Sequence, residues 1–287
     1  LLVAPEARRS ALKSLSLLIV LCLCLSVSTS AQLVDEFDIQ PSGCCLAMQA
    51  KRLADQLQDW NQLGRYHHAN QELKKAPTDP SRVVFMGDSI TDGWKLEDYF
   101  PGKPYVNRGI GGQTTSQMLA RMYADVIELK PKAMVLLAGT NDIARNIGPV
   151  TAEMIQHNVM AMTVLAQHHG IKVILCSILP VSDYPYERQQ REIASNTRSS
   201  SSSGRPPASR PRVTTGRPPA DILKLNAWIK DYANKVDAIY VDYFAATVDQ
   251  KGMLTEAYSE DGLHPNAAGY KVMAPVVEAA IQQALQQ

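Results

Sequence analysis

Residues 83–92 read Val-Val-Phe-Met-Gly-Asp-Ser-Ile-Thr-Asp, an uninterrupted apolar run followed at once by a small and polar turn. A short run of this kind is typical of a strand that is buried on both faces of a sheet. The chain is expected to leave the strand at Gly87 and to turn into a helix. That turn places the Ser89 hydroxyl at the carboxyl edge of the sheet, where a backbone N–H can point at an anionic oxygen.

The same alternation of apolar strand and amphipathic helix repeats along the chain. Further short apolar runs fall at 105–106, 133–138, 172–176 and 238–241. Residues with helical spacing occupy 115–129, 151–169, 220–235 and 266–285. Apolar strands that alternate with helices predict a parallel sheet that is covered by helices on both faces. In such sheets the functional groups gather at the carboxyl ends of the strands.

Two more polar blocks follow predicted strands. Residues 107–113, Asn-Arg-Gly-Ile-Gly-Gly-Gln, come after the second run, and their glycines allow the backbone to approach a ligand closely. Residues 139–142, Gly-Thr-Asn-Asp, come directly after the third run, where Asn141 would extend its amide over the same edge. Taken singly, each block also fits an ordinary tight turn or a helix cap.

The fourth block, residues 261–266, reads Asp-Gly-Leu-His-Pro-Asn and precedes the last predicted helix. A serine hydroxyl is a weak nucleophile that needs a base, and the base needs a third group to fix its tautomer. Asp261 and His264, three positions apart on one loop, can supply both groups. For this block alone, an Asp cap beside an incidental histidine is the alternative. Together the four blocks supply a nucleophile, a base, an orienting acid and oxyanion donors.

These four blocks resemble those of the SGNH/GDSL hydrolase superfamily. The resemblance extends over about residues 82–287 apart from one insertion. Residues 107–113 are particularly similar to the branch of the platelet-activating-factor acetylhydrolase catalytic subunits. The fold that the resemblance implies is α/β, a flavodoxin-like three-layer α/β/α sandwich with a five-stranded parallel sheet.

The resemblance also assigns roles to single residues. It implies that Ser89 is the nucleophile, that His264 is the general base and that Asp261 lies behind the base. It implies an oxyanion hole formed by Ser89, Gly112 and Asn141. These assignments predict a carboxylic ester hydrolase.

The composition excludes several classes of protein. The net charge is +1 at neutral pH and no broad basic face is evident, so no nucleic-acid partner is expected. Of the five cysteines, Cys44 and Cys45 are adjacent, and no cluster of carboxylates and histidines has ligand spacing. We therefore expect no metal and no cofactor. The expected substrate is a small ester or an acetylated carbohydrate, and the oligomeric state stays open.

The chain is predicted to have one globular domain with appendages. Basic residues, an apolar run and small residues follow one another in 1–31, which is typical of a signal peptide with cleavage after Ala31. The protein is therefore expected to be secreted, periplasmic or extracellular, with membrane attachment only if this segment is retained. Residues 32–46 are predicted to be a linker, and 47–287 the hydrolase domain, which begins with a helix over 47–75.

One segment of the predicted domain breaks the strand–helix pattern. Residues 195–219 are rich in Ser, Pro and Arg, contain no acidic residue and include the sequence Gly-Arg-Pro-Pro twice. Such a composition buries too little apolar surface to offset the entropy of ordering, so a disordered surface loop is predicted. A segment that binds a polyanion or a cell wall is the alternative.

The sequence thus predicts a secreted serine ester hydrolase that cleaves short-chain acyl or acetyl esters through an acyl-enzyme. One alternative is a carbohydrate O-acetylesterase that acts on xylan, pectin or another wall polysaccharide. A second alternative, from a different class, is a non-catalytic carbohydrate-binding module. Aromatic residues on loops would suit sugar stacking, although ordinary packing also explains them: Trp94, Tyr99, Phe100, Tyr184 and Tyr186.

Overall fold

A computed structural model describes residues 58–199 and 211–287. Its centre is a five-stranded, all-parallel sheet with the strand order β2-β1-β3-β4-β5. The strands are β1 (Val83–Gly87), β2 (Tyr105–Gly109), β3 (Ala133–Leu137), β4 (Lys172–Cys176) and β5 (Ile239–Val241). Helices cover both faces of the sheet, so the predicted three-layer α/β/α fold is confirmed.

The strands are buried because both of their faces are apolar. In β1 and β3 every residue is buried, and successive side chains point to opposite faces of the sheet. Val84 and Met86 pack into one core, whereas Val83 and Phe85 pack into the other. The inner strand β1 pairs in register with β2 and β3 along its whole length, so these three strands end level at the carboxyl edge.

Helices pack against both faces. Their bounds are α1 (His67–Lys75), α2 (Ser89–Asp92), α3 (Leu96–Tyr99), α4 (Thr115–Asp125), α5 (Thr140–Ile143), α6 (Ala152–His168), α7 (Tyr184–Ser199), α8 (Val213–Gly216), α9 (Pro219–Lys235), α10 (Tyr243–Thr247) and α11 (Ala267–Gln286). Short 3₁₀ turns occupy Leu63–Arg65, Ile127–Leu129 and Glu256–Tyr258. One core, which includes Met118, Val159 and Leu225, joins α4, α6 and α9 to the sheet. The other, which includes Trp94 and Tyr270, joins α11 to the opposite face.

Local sequence signals set where the main helices begin. The Thr114 and Gln117 side chains form a capping box at the start of α4. The Thr151 side chain accepts a hydrogen bond at the start of α6, and the Asn266 side chain accepts two at the start of α11. Each of the last three helices predicted from sequence matches α6, α9 or α11 to within about one residue at each end.

The single helix predicted over 47–75 is wrong for the part that the structure describes. Gln62 adopts a left-handed conformation with a φ of 57°, and a 3₁₀ turn at Leu63–Arg65 precedes α1. Two backbone carbonyls just before Gln62 accept hydrogen bonds from side chains of α4 and of the loop before it. These long-range contacts replace the helical pairing that the apolar spacing predicts. Residues 47–57 lie outside the described part of the chain.

The disordered loop predicted over 195–219 is also wrong where the structure describes it. Helix α7 extends into the beginning of this segment, and residues 211–219 form α8 and lead into α9. The Thr214 N–H and hydroxyl both donate to the Asp183 carboxylate, at 3.1 and 2.5 Å, which ties the segment to the loop after β4. Residues 200–210 lie outside the described part of the chain.

The predicted signal peptide over 1–31 and the predicted linker over 32–46 also lie outside the described residues. Both assignments therefore stay predictions. Within 58–199 and 211–287, no helix combines the length and the apolar character that crossing a bilayer requires.

Candidate active site

Ser89 lies at the carboxyl end of β1. The strand ends at Gly87, Asp88 caps the following turn, and Ser89 is the first residue of the single-turn helix α2. The Asp88 carboxylate accepts a hydrogen bond from the Ile90 N–H at 2.9 Å, which fixes the turn. A Cβ at Gly87 would lie 2.1 Å from the Thr91 hydroxyl oxygen. The turn is thus packed too tightly for any residue but glycine at its start.

Three of the predicted site residues form one hydrogen-bonded chain. The His264 Nε2 lies 2.9 Å from the Ser89 Oγ, and the His264 Nδ1 lies 2.6 Å from the Asp261 Oδ2. Ser89 and His264 are 175 positions apart in the sequence, so the tertiary fold makes this contact. A carboxylate at Nδ1 keeps a proton on that nitrogen and leaves Nε2 free to accept a hydroxyl proton. The arrangement can therefore deprotonate a serine.

The Asp261 carboxylate is held by the backbone of its own loop. One oxygen accepts hydrogen bonds from the Leu263 and His264 N–H groups at 2.9 and 2.8 Å, and the other faces the imidazole. Burial raises the pKa of Asp261, but the hydrogen bonds from His264 and Leu263 outweigh burial and lower that pKa to about 2. The carboxylate is therefore ionised throughout the neutral and mildly acidic range.

The glycine pair of the second block lies beside the turn that carries Ser89. A Cβ at Gly111 would lie 3.8 Å from the Ser89 Cβ, and Gly112 has a φ of 78°, which favours glycine. The Gly111 N–H donates to the Asp92 carboxylate at 3.2 Å, and the Gly112 carbonyl accepts from the Asn146 side chain at 2.9 Å. These two bonds hold the loop between β2 and α4 in place next to the serine.

Asn141 follows β3 and is almost fully buried, with 3% of its surface exposed. Its Nδ2 donates to the Gln113 carbonyl oxygen at 3.1 Å, so the third block contacts the loop of the second. The same nitrogen carries another N–H that this bond does not use. The structure thus places all of the predicted site residues at the carboxyl edge of the sheet: Ser89, Gly112, Asn141, Asp261 and His264.

Two buried aspartates shape the turns of this edge. Asp88 caps α2, and Asp142 accepts hydrogen bonds from the Thr115 N–H and hydroxyl, the shortest at 2.6 Å. Burial raises the pKa of Asp88 to about 6 and that of Asp142 to about 6. Among the described residues, the Asp88 Oδ2 has no hydrogen-bond partner. Ionisation of Asp88 is therefore costly in the folded protein.

A buried charged cluster under the site is missed by the sequence analysis. Arg121 in α4 is fully buried and donates to the Gly87 carbonyl at 3.1 Å, to the Gln113 side chain at 2.6 Å and to Asp125 at 2.9 Å. Asn70 of α1 donates to the same aspartate at 2.6 Å. Arg121 thus links the strand that carries the serine to the glycine loop. Hydrophobic spacing gives no signal for such a residue, because arginine is typical of a solvent-facing position.

Arg217 is a second group that the sequence analysis misses. It lies in the segment predicted to be disordered, yet its Nε donates to the Thr140 hydroxyl at 3.2 Å and its Nη2 donates to the Asn141 Oδ1 at 3.0 Å. The sequence Gly-Arg-Pro-Pro occurs twice in that segment. In the sequence, Arg217 differs from Arg205, the arginine of the first copy, only because a helical pattern follows the second copy.

Two cavities border the carboxyl edge. One has a volume of about 440 Å³ and is lined by Asp261, its neighbour Glu260 and polar residues of α7. The other has a volume of about 550 Å³, begins beside α5 and has Ile147, Val150 and Met154 on its apolar side. Of these two cavities, only the polar one is lined by a member of the Ser89–His264–Asp261 chain, namely Asp261.

Several other residues considered from the sequence lie outside this arrangement. Trp94 and Phe100 are buried in the core, so ordinary packing explains them. The Tyr184 hydroxyl donates to the Asp249 carboxylate. In the described part of the chain, His, Cys, Asp and Glu side chains form no group of three or more that could hold a metal ion.

Comparison with known proteins adds independent information. The family model of the GDSL-like lipase/acylhydrolase family matches residues 85–272. The crystal structure of a GDSL-like lipase from Bacteroides thetaiotaomicron VPI-5482 is similar to this chain, with 34% identity and a TM-score of 0.65. That alignment covers 79% of this chain and 100% of the lipase.

Two curated relatives match over shorter stretches. Esterase TesA of Pseudomonas aeruginosa is 32% identical over 110 residues, which cover 33% of this chain and 53% of TesA. The uncharacterized lipoprotein YqeF of Bacillus subtilis (strain 168) is 33% identical over 118 residues, which cover 34% of this chain and 49% of YqeF. The chain thus spans about half the length of the curated relatives it matches.

Proposed function

The chain belongs to the GDSL-like lipase/acylhydrolase family of carboxylic ester hydrolases, and from this premise we propose that Ser89 is its nucleophile. In this proposal His264 is the general base, and Asp261 orients it. The supporting observation is the hydrogen-bonded chain from the Ser89 Oγ through the imidazole to the Asp261 carboxylate, with distances of 2.9 and 2.6 Å. Such a chain activates a hydroxyl that is otherwise a weak nucleophile.

Ester cleavage then proceeds in two halves. The Ser89 Oγ attacks the carbonyl carbon, its proton passes to the His264 Nε2, and the carbonyl oxygen becomes an oxyanion. The imidazolium returns the proton to the departing alcohol oxygen as the C–O bond breaks, which leaves an acyl-enzyme. In the second half, water gives its proton to His264 and its oxygen bonds to the acyl carbon. The Ser89 oxygen leaves with that proton, and the carboxylic acid is released.

Three donors are assigned to the oxyanion: the backbone N–H groups of Ser89 and Gly112, and the Asn141 side chain. The N–H on the Asn141 Nδ2 that does not bond to Gln113 is available for this purpose. Loss of one such donor typically raises the barrier by about 3 kcal/mol, or ~10²–10³-fold in rate. Asn141→Ala is therefore expected to retain weak activity, well above that of Ser89→Ala.

The surroundings of the serine favour a short acyl group. Polar or charged side chains hydrogen-bond to the glycine pair and to Asn141: Asp92, Asn146 and Arg217. A longer acyl chain gains about 0.8 kcal/mol per methylene only where apolar surface receives it. Acetyl and other short-chain acyl esters are therefore the proposed substrates.

A second candidate is a carbohydrate O-acetylesterase. The observation that favours it is the polar cavity of about 440 Å³ beside Asp261, lined by Arg188, Gln189 and Glu192 of α7 and by Glu260. Hydrogen-bonding side chains of this kind suit the hydroxyl groups of a sugar. In this version the leaving alcohol is a sugar hydroxyl of an acetylated polysaccharide such as xylan or pectin.

The test is a series of p-nitrophenyl esters from acetate to decanoate, assayed with the wild type, Ser89→Ala and Ser81→Ala. Ser81 lies just before β1, at the opposite edge of the sheet, and is therefore the matched control. We expect the highest kcat/KM with acetate, wild-type rates for Ser81→Ala, and a loss of about 10⁴-fold or more for Ser89→Ala. Wild-type rates in Ser89→Ala would overturn the nucleophile assignment.

The same wild-type and variant proteins also distinguish the carbohydrate esterase and the non-catalytic binding module from a short-chain esterase. Release of acetate from acetylated xylan or pectin, at a kcat/KM above that for p-nitrophenyl acetate, would favour the carbohydrate esterase. A non-catalytic carbohydrate-binding module would bind these polysaccharides and turn over no ester at all. That outcome would refute the proposed hydrolysis.

Secretion is part of the proposal. It is supported by the predicted signal peptide over 1–31. One of the relatives, YqeF, is named a lipoprotein. Expression of the chain with a C-terminal tag in a secreting host is expected to release protein that begins after Ala31. Retention inside the cell with an intact N-terminus would contradict this.

A further inference from the structure

Arg217 is carried by a segment that is anchored on both sides. It lies between α8 and α9, and its N–H donates to the Val213 carbonyl at 3.0 Å. Upstream, Thr214 bonds to Asp183 through both its N–H and its hydroxyl. Downstream, α9 begins at Pro219, in the first helical position that proline favours. The backbone of Arg217 is thereby fixed, and its side chain extends to the turn after β3.

The guanidinium contacts two consecutive residues of that turn. The Arg217 Nε donates to the Thr140 hydroxyl at 3.2 Å, and the Nη2 donates to the Asn141 Oδ1 at 3.0 Å. Both acceptor residues are only 3% exposed. Burial lowers the pKa of Arg217, whereas Asp88 and Asp261 act on it in the opposite direction. The positive charge therefore lies within electrostatic reach of the residues around Ser89.

We propose that Arg217 is a positioning residue that sets the orientation of the Asn141 side chain for oxyanion binding, an inference that rests on the proposed function. A carboxamide rotated by 180° exchanges its acceptor oxygen and its donor nitrogen with almost no change in shape. Arg217 can only donate and the Gln113 carbonyl can only accept. Together they permit one orientation, in which Oδ1 faces Arg217 and Nδ2 faces Gln113. The second N–H of Nδ2 is then left for the ester oxygen.

The positive charge also makes Asn141 a better donor. A hydrogen bond from a guanidinium to Oδ1 draws electron density toward the oxygen end of the amide, which strengthens the N–H groups at the other end. This gain is largest when the ester oxygen carries its negative charge, which happens only on the way through the transition state. Loss of Arg217 is therefore expected to lower kcat and to leave KM nearly unchanged.

The test is a double-mutant cycle between Arg217→Met and Asn141→Ala, measured with p-nitrophenyl acetate. Alone, Arg217→Met is expected to lower kcat about 10- to 100-fold, which is less than the ~10²–10³-fold cost of removing an oxyanion donor. In the Asn141→Ala background, the same change is expected to alter kcat by less than about twofold, because the group it acts through is gone. Arg217→Lys keeps the charge but not the two-point contact, so its kcat is expected to lie between those of wild type and Arg217→Met.

Arg212→Met is the matched control. Arg212 lies in the same segment, and its guanidinium is 4.9 Å from the centre of the Tyr186 ring, whereas the Asn141 Oδ1 accepts from Arg217. Replacement of Arg212 is expected to leave kcat within about twofold of wild type. The experiment also includes thermal unfolding of every variant. In addition, KM is compared for the anionic 4-nitrophenyl hemisuccinate and the neutral 4-nitrophenyl butyrate.

Three results would overturn the proposal. Multiplicative effects of the two substitutions would mean that Arg217 does not act through Asn141. A rise in KM confined to the anionic hemisuccinate would make Arg217 a ligand for a charged substrate. A fall in Tm in both Arg217 variants, with kcat reduced only by the unfolded fraction, would make it a structural residue. Wild-type activity in Ser89→Ala would instead refute the proposed function, whatever the Arg217 variants show.

Discussion

Replacement of Gly262 by alanine is expected to disable hydrolysis while the fold is retained. Gly262 lies between Asp261 and His264 and has a φ of 83°, in the left-handed region where a side chain is strained. A Cβ at this position would lie 2.1 Å from the Ser182 carbonyl oxygen, whereas real Cβ contacts essentially never fall below 3.0 Å. The Gly262 carbonyl accepts the Ser182 N–H at 2.8 Å, so the two backbones are already in contact.

The expected losses of kcat and of stability in Gly262→Ala follow from this geometry. The oxygen that is struck belongs to the backbone and cannot rotate away, so the loop must move by about 1 Å to restore a normal contact. A misplacement of this size in a reacting group lowers the rate by about 10²-fold. The left-handed φ adds about 1–2 kcal/mol of strain to the folded state. We therefore expect kcat to fall about 10²-fold, while the free energy of unfolding falls by only a few kcal/mol.

The assay is the hydrolysis of p-nitrophenyl acetate together with urea unfolding, and Gly252→Ala is the control. Gly252 has a φ of 79°, and a Cβ there meets nothing within 4 Å. The control therefore adds the same backbone strain without the clash. Both variants are expected to lose stability, and only Gly262→Ala is expected to lose rate. An unchanged kcat in Gly262→Ala, or an equal loss of kcat in both variants, would refute the reasoning.

Three further predictions concern buried and ionisable groups. Arg121→Met breaks the buried ion pair with Asp125 and is expected to lower the free energy of unfolding by about 3–5 kcal/mol in urea titrations; a loss below about 1 kcal/mol would contradict this. Because burial raises the pKa of Asp88 from its ordinary value near 4 to about 6, the folded protein binds this proton more tightly than the unfolded chain, and stability is lost as pH rises from 4 through 6. Between pH 4 and 7, Asp88→Asn is therefore expected to gain about 2 kcal/mol in unfolding free energy relative to wild type, and a difference independent of pH would exclude this. Since hydrogen bonds from His264 and Leu263 outweigh burial and hold the pKa of Asp261 at about 2, protonation of Asp261 is expected to contribute nothing to the pH dependence of kcat/KM above pH 4. A slope of kcat/KM against pH that requires protonation of Asp261 above pH 4 would count against this.

The sheet and the main helices could be predicted because their signals are local and repeated. Continuous apolar runs identify strands buried on both faces, and polar blocks after such runs must meet where parallel strands end. The contact between Ser89 and His264 spans 175 positions, yet it follows from that edge rule together with the two motifs. The placement of the candidate site residues at one edge could thus be predicted because each block stands directly at the end of a strand or the start of a helix.

The kink near Gln62 and the anchored residues Thr214 and Arg217 could not be predicted from the sequence, because long-range contacts override the local pattern. The apolar spacing over 47–75 is helical, but carbonyls near Gln62 bond to side chains more than 50 positions away, and the chain kinks there. Average composition over 195–219 hides single anchors, since Thr214 and Arg217 each bond to a distant turn. The usable local signal in that segment is the helical spacing that follows the second Gly-Arg-Pro-Pro, with Pro219 at the first position of α9.

The most direct test of the central claim is mass spectrometry of the protein after reaction with a fluorophosphonate, which phosphonylates an activated serine hydroxyl. The account predicts one adduct per chain, on the peptide that contains Ser89, at a rate that matches the loss of esterase activity. Ser89→Ala is expected to form no adduct, and His264→Ala to react far more slowly because the base is absent. Full esterase activity in protein whose Ser89 is completely modified, or an inactivating adduct on another residue, would contradict the account.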